Sequence, residues 1–216
     1  MLSRRLLQLA DFVPDNEIVA DIGTDHALLL CYLAEEKRLV KGYAMDIALG
    51  PLKAAEKNIK KKGYGNIHCL LSDGLSRLPE DTTVVVIAGL GFQTIKKILT
   101  NNWDKLFGLQ AIIVQCNSQI KLFRAFLCDA KVNIEDERWV KDYKDYQLIK
   151  FNLKKDKEYS VAERYFGPCL LEKKPVEFLD YYRYYYIKIK RNYLLNQKDD
   201  LRNEINLIEE YLQDIT

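Results

Sequence analysis

Short apolar runs alternate along this chain with stretches whose apolar residues recur every three or four positions, the pattern of strands followed by helices. Leu2, Leu6, Leu9 and Ala10 predict a first helix, broken by Pro14-Asp15-Asn16. Ile18 to Ile22 reads as a buried strand, Ala27 to Ala34 as a helix, and Gly42 to Asp46 as a second strand. Gly50-Pro51 then starts a helix, with Pro in its first position and Leu52, Ala55 and Ile59 along one face. Ile67 to Leu71 and the β-branched run Thr82 to Ala88 predict two more strands, with a helix from Gln93 to Leu99 behind them. His68 and Cys69 inside the third strand read as packing residues. Ala111 to Gln115 is a fifth strand, leading to a helix from Gln119 to Lys131 that buries Ile120, Phe123, Phe126 and Leu127. Ile134 to Val140 and Gln147 to Leu153, joined by a short polar turn, complete seven strands. Two strands joined so tightly are antiparallel, so one strand of an otherwise parallel sheet is reversed.

Beyond Phe151 the pattern changes. Glu163 to Pro168 reads as a connector that packs back on the core, and from Pro175 the rest is helical. Leu179, Tyr182, Tyr186, Ile189 and Tyr193 keep a 3–4 spacing; Leu194, Leu201, Ile205, Ile208, Leu212 and Ile215 keep it one residue out of phase. The slip around Asn196 to Asp200 predicts an antiparallel hairpin of two helices. A single kinked helix is the alternative, because neither Gly nor Pro stands at the slip. The expected division is a sheet domain over residues 1–160 and a connector with a coiled-coil tail over residues 161–216.

Composition narrows the partners. A chain of 216 residues with 48% apolar content holds one domain and an appendage. Its formal charge of +2 gives no global basic field, so a nucleic-acid partner must be held by local patches. Five scattered cysteines and two histidines predict no metal site and suit a reducing cytosol. No apolar segment approaches the length of a membrane span, and the first residues lack the apolar run of a secretory signal. A cytoplasmic protein without membrane contact is the expectation.

The chemistry gathers at strand ends. After Gly23 the second glycine of a dinucleotide turn is missing, and Asp25 stands there with His26 and Ala27 behind it. A carboxylate at that place repels a pyrophosphate and attracts a ligand carrying an amino group and a sulfonium, which favours S-adenosylmethionine over NAD. The alternative is that Asp25 only caps the next helix. Asp46, about twenty residues after the glycine turn, is placed to accept both ribose hydroxyls of an adenosine, against a plain turn aspartate. Asp73, before Gly74, can accept from an adenine amino group. Ala88 and Gly89 leave room for a ligand at the end of the fourth strand. Gln115 and Asn117 can read a base edge, though Asn117 or Ser118 could equally cap a helix. Arg4 and Arg5 on the first helix, and the lysines at 57 and 60–62, are equally well explained as ordinary surface charge. In the tail, Lys188, Lys190 and Arg191 beside Tyr181, Tyr182, Tyr184, Tyr185 and Tyr186 suit phosphates and unstacked bases, while the tyrosines read equally as the seam between helices.

These residues together carry a resemblance. Leu2-Ser3-x-Arg5-Leu6, Ala20-Asp21-Ile22-Gly23-Thr24-Asp25-His26-Ala27, Gly50-Pro51, Asp73-Gly74, Ile87-Ala88-Gly89-Leu90-Gly91, Gln115-x-Asn117 and Phe166-Gly167-Pro168 resemble the bacterial TrmK-type tRNA (adenine-N1) methyltransferases over essentially the whole chain. The resemblance implies a class I S-adenosylmethionine-dependent methyltransferase of the α/β class: a Rossmann-like, seven-stranded, mostly parallel sheet with a C-terminal coiled-coil hairpin. It implies methylation of N1 of adenine 22 in the D-arm of tRNA. Arg5, Asp21, Gly23, Asp46, Asp73, Gly74, Ala88 and Gly89 are then the cofactor residues. Asp25, His26, Gln115 and Asn117 are the catalytic candidates, and Gly91, Lys188, Lys190 and Arg191 face the RNA. Leu28 and Leu30 stand where Tyr and Pro are usual in that family, Phe92 where Gly is usual, and Cys116 where Pro is usual. The expected partner is tRNA, and the expected assembly a monomer or weak dimer through the tail. The competing readings are a methyltransferase for a small molecule and a catalytically idle binding module.

Overall fold

The computed structural model describes residues 2–213. Ile215, placed by its spacing on the tail stripe, lies outside the described residues. Helix α1 (Arg4–Phe12) starts at Ser3, whose hydroxyl accepts from the Leu6 N–H. There follow β1 (Glu17–Ile22), α2 (Leu28–Glu35), β2 (Leu39–Asp46), α3 (Leu49–Lys62), β3 (Ile67–Leu71), β4 (Val84–Leu90) and α4 (Phe92–Thr100). A short 3-10 turn leads to β5 (Ala111–Cys116), α5 (Ile120–Asp129), β6 (Asn133–Lys141) and β7 (Asp145–Asn152). The chain then continues through α6 (Val161–Phe166), α7 (Pro168–Lys173), α8 (Val176–Asn196) and α9 (Asp199–Tyr211).

The seven strands form one sheet in the order β3-β2-β1-β4-β5-β7-β6. β7 runs against both its neighbours, and the other pairings are parallel. The order reverses between β1 and β4, which opens a crevice at the carboxyl ends of those strands. Alternate residues of the central strands bury against α4 and α5 on one face, and against α1, α2 and α3 on the other. Aliphatic and β-branched side chains such as Val84, Val86, Ile113 and Leu148 line the second face with no solvent exposure, so the rim stands on a rigid base. All five cysteines are unpaired.

Several elements differ from the sequence reading. Helix α3 begins at Leu49, which puts Pro51 in its third position. His68 is not a packing residue: it is exposed on the edge strand, its ring 6.0 Å from that of Tyr43. The connector is helical. Ser160 and Glu163 form a capping box at the start of α6, too short a helix for hydrophobic periodicity to show. Gly167 then takes a φ of +99°, and a Cβ there would overlap the Glu137 carboxylate, so only glycine fits. That carboxylate pairs with Arg124 at 2.9 Å and accepts from the Cys169 N–H at 3.1 Å, both side chains being at most 1% exposed. Arg124 also donates to Gln147 at 2.8 Å.

The tail is the hairpin of the sequence reading. Gln197, left-handed at φ +47°, ends α8 and lets α9 fold back without glycine. Phe178, Tyr182, Tyr186, Ile189, Ile205, Ile208 and Leu212 bury together with Trp139 of β6 and Phe166. Leu194, placed by its spacing on the second stripe, lies in the last turn of α8, off this seam, and is exposed.

Candidate cofactor and substrate site

Strand β1 delivers Asp21 and Gly23 to the centre of the crevice. Gly23 has a φ of +74°, and its N–H donates to the Met45 carbonyl of β2 at 2.8 Å, where the chain turns off the end of β1. Thr24 donates from Oγ1 to Asp21 Oδ2 at 2.7 Å. Asp21 is buried and meets no cation within ion-pairing distance among the described residues. Burial therefore pushes its carboxyl up to about 6, with the Thr24 hydroxyl pulling the other way and the Asp25 charge adding to the rise.

His26 and Ala27 that follow both take left-handed backbone, φ +56° and +52°. Two consecutive non-glycine residues there are strained, a feature common around functional sites. The turn needs no side-chain cap, and α2 has none. Asp25 is thus free of the capping role, and its side chain is 87% exposed, with His26 Nε2 at 3.4 Å.

A cavity of about 640 Å³ opens beside Gly23. Asp46, Ile47, Asp73 and Gly74 bound it from β2 and β3, and Gln93, Thr94, Lys97 and Asn101 from one face of α4. That volume suits a drug-sized ligand. Asp46 Oδ1 accepts from the Ala48 N–H at 2.7 Å, so it serves the turn, while Oδ2 makes no hydrogen bond among the described residues. A second, smaller space adjoins at Gly23 and is lined by Arg5, Asp21, Asp25 and Ala88.

On the other side of β4 the rim is a closed network. Gly89 is an extra residue in the pairing of β4 with β5, a bulge that re-aims the strand end. Its N–H donates to Gln115 Oε1 at 3.2 Å, and Arg5 Nη1 donates to the same oxygen at 2.7 Å. Gln115 Nε2 donates to Asn117 Oδ1 at 2.9 Å, and Asn117 Nδ2 donates to the Gly89 carbonyl at 2.6 Å. Gln115 is wholly buried with both its amide oxygen and its amide nitrogen hydrogen-bonded, and Asn117 is exposed. Asn117 is accordingly not a helix cap, and Arg5 is not loose surface charge. Tyr146 of β7 lies under Arg5, 5.5 Å from ring centroid to guanidinium carbon. Burial, then the neighbouring Tyr143 phenol, raise the Tyr146 hydroxyl to about 12.

With this geometry in hand, similar proteins place the chain. A family profile described as a methyltransferase domain matches residues 2–149. The Mycoplasma capricolum TrmK structure, solved with S-adenosyl-homocysteine, is 31% identical, covers all of both chains and superposes with a TM-score of 0.84. The chain belongs to the TrmK family of methyltransferase-domain proteins. TrmK of Bacillus subtilis, solved as an m1A22 tRNA methyltransferase, is 26% identical with a TM-score of 0.85 over 98% of each chain. The curated tRNA (adenine(22)-N(1))-methyltransferase of Bacillus subtilis strain 168 is 32% identical over 151 residues, 68% of this chain. That stretch spans 63% of the relative's length, somewhat less than two thirds.

Among the residues singled out in this TrmK-family chain, Arg5, Asp21, Gly23, Asp25, Asp46, Asp73, Gly74 and Ala88 line the two joined spaces, with Gly89, Gln115 and Asn117 on their border. Gly91 precedes α4, with Ser118 Oγ 3.2 Å from where its Cβ would be. His26 instead lines a shallow depression with Lys57, Asn58 and Lys61, and its carbonyl accepts from Asn58. Lys190 is held by Glu209 at 3.1 Å and by the Tyr186 hydroxyl, whereas Lys188 and Arg191 are exposed with no ion pair among the described residues. Sequence reasoning missed the α4 wall. Its signal was present, because Gln93, Thr94, Lys97 and Asn101 recur at the spacing of one helical face. Among the described residues no group of side chains could hold a metal ion, and no helix is long and apolar enough to cross a membrane.

Proposed function

We propose that this chain is a cytoplasmic, S-adenosylmethionine-dependent methyltransferase acting on N1 of adenine 22 in tRNA. The observation that carries the cofactor reading is Asp21, a buried carboxylate lining the smaller space with no ion pair among the described residues. A ligand with a positive end and an adenosine end supplies what the rim lacks: a cation beside Asp21, and hydroxyl and amino donors for Asp46 and Asp73. The substrate reading rests on the TrmK relatives.

When bound, the cofactor supplies an activated methyl group. Asp46 Oδ2 accepts from the ribose, and Asp73 from the adenine amino group. Arg5 and Gln115 are positioning residues: they fix the Gly89 N–H and the Asn117 side chain, leaving Asn117, Asp25 and Gly91 to face the target base. Adenine N1 carries a free lone pair at neutral pH, so no general base is required. The protein's work is alignment and tolerance of the positive charge that passes to the ring. N1 lies on the pairing edge, so the base must leave its stack. Residues 161–216 grip the RNA through Lys188 and Arg191 on the exposed side of α8, with Lys190 drawn across the hairpin, on a sheet domain spanning residues 1–160. A monomer suffices for this arrangement.

The test is transfer of labelled methyl from S-adenosylmethionine to an unmodified tRNA transcript, followed by primer extension, which stops where N1 is methylated. The expected stop is at adenine 22, and a guanine 22 transcript accepts nothing. Transfer to a different nucleotide, or none to tRNA, rules the proposal out.

A further inference from the structure

Across the rim from Asp46 and Asp73, the β6–β7 turn carries an aromatic ring that the fold does not use. Tyr143 is 82% exposed. Its ring stands edge-on to Tyr146, with centroids 5.5 Å apart and planes at 81°. Lys144 Nζ lies 5.0 Å from the Tyr146 ring centre and 6.0 Å from that of Tyr143. The turn is closed by the Asp142 N–H donating to the Lys144 carbonyl at 3.0 Å, and is pinned to α1 by the Arg5 N–H donating to Asp142 Oδ2 at 3.1 Å. The same Arg5 reaches Gln115 with its guanidinium, so the turn is tied to the network at the end of β5.

Two features of this corner go unexplained by folding alone. An exposed phenol ring at a held turn leaves apolar surface in water where a short polar residue would serve the turn better. The Tyr146 hydroxyl is buried and meets the full geometry of a hydrogen bond with no group among the described residues, its polar neighbour being the exposed Tyr143 phenol itself. The local charges suit a polyanion. Asp142 is engaged by the Arg5 backbone and Asp145 by the Trp139 indole N–H at 3.0 Å, while Lys141 and Lys144 make no ion pair among the described residues. An exposed aromatic flanked by free lysines at the mouth of a base-modifying site fits an unstacked nucleobase with its phosphates.

We propose that Tyr143 is a stacking ledge for a nucleobase of the RNA strand that bears the target, held at the substrate side of the rim by Tyr146, Asp142 and Arg5. This rests on the tRNA reading above and adds a recognition surface on the sheet domain to the one on the tail. Because a stack uses the face of the ring, the hydroxyl is dispensable and the ring is not.

The full-length protein and its Tyr143→Ala and Tyr143→Phe variants are compared for equilibrium binding of an unmodified tRNA transcript, KM for that transcript, S-adenosylmethionine affinity and Tm. Tyr143→Ala is expected to weaken tRNA binding and raise KM about tenfold, with cofactor affinity and Tm unchanged. Tyr143→Phe is expected to stay within about twofold of the parent. Unchanged tRNA binding in Tyr143→Ala overturns the ledge, as does equal loss in the Phe variant. A fall in Tm or cofactor affinity that accounts for the loss also overturns it, by making the ring structural. If the parent binds tRNA but transfers no methyl, the methyltransferase reading fails and the binding comparison still decides the ledge. A parent that does neither overturns both.

Discussion

Two of the buried carboxylates among the described residues sit under opposite conditions. Glu137, under the connector, has Arg124 on one oxygen and the Cys169 N–H on the other. Asp21, at the joint of the crevice, has a hydroxyl from Thr24 and no cation in contact among the described residues. Burial alone does not tell them apart. The difference lies in completion: one site is finished by the chain itself and holds the tail on the sheet, while the other is left for a ligand to finish. A protein tolerates the second arrangement only where binding later compensates it.

The largest expected effect comes from breaking the finished site. Glu137→Ala leaves Arg124 buried without a partner and should cost about 3–5 kcal/mol, seen as a fall in Tm of roughly 10 °C. Gly167→Ala attacks the same place from the backbone, since its Cβ overlaps the carboxylate and its φ of +99° is unfavourable to alanine. It should fall in the same range by thermal melts. If both variants melt with the parent, Glu137 does not staple the tail to the sheet.

The unfinished site should respond the other way. The folded protein holds a proton on Asp21 up to about pH 6, whereas an unfolded chain releases it near 3.8. Between those values the folded state binds the extra proton, so Asp21 costs stability as pH rises through the window. The cost is then carried in full above it, on the order of 2–3 kcal/mol before the lost charge on the Thr24 hydrogen bond is counted. Asp21→Asn should therefore stabilise the ligand-free protein above pH 7 by about 1–2 kcal/mol, with the gain gone near pH 4. The same variant should weaken S-adenosylmethionine binding by at least tenfold in calorimetry. A variant that loses stability at neutral pH would make Asp21 structural after all.

A milder probe leaves the sequence intact. If only ionised Asp21 receives the cationic ligand, apparent cofactor affinity should fall about tenfold between pH 7 and pH 5, since one proton must leave. In Asp21→Asn the profile should be flat over that interval. A flat profile in the parent would sever the link between the unfinished charge and the ligand.

The same contrast explains what the sequence made legible. Strand ends carrying Gly23, Asp46 and Asp73 were readable because a local run of β-branched residues fixes each strand, and the next polar residue must emerge at the rim. Whether Asp25 capped a helix was undecidable locally, and the left-handed His26 and Ala27 decided it. The network of Arg5, Gly89 and Gln115 joins residues up to 110 positions apart, so no spacing could announce it. Glu137 and Arg124 lie 13 positions apart on a strand and a helix, with nothing in either sequence segment to pair them. Only the packing of α6 and α7 over them, in helices too short to show periodicity, turns them into a staple.

A third carboxylate separates completion from burial. Glu209 is also partnered, with Lys190 at 3.1 Å and the Tyr186 hydroxyl at 2.5 Å on one oxygen, yet it is exposed in the hairpin. Solvent screens such a pair and leaves its ions hydrated when broken, so Lys190→Ala should move Tm by no more than about 2 °C. In salt titrations of tRNA binding, Lys190→Ala should also do less than the paired change Lys188→Ala and Arg191→Ala. Those two side chains make no ion pair among the described residues, and their loss should lower the slope against salt by about one to two charges. If Lys190→Ala matches the double variant, the lysine is released to the RNA on binding, and the hairpin pair belongs with Asp21 among the sites a ligand completes.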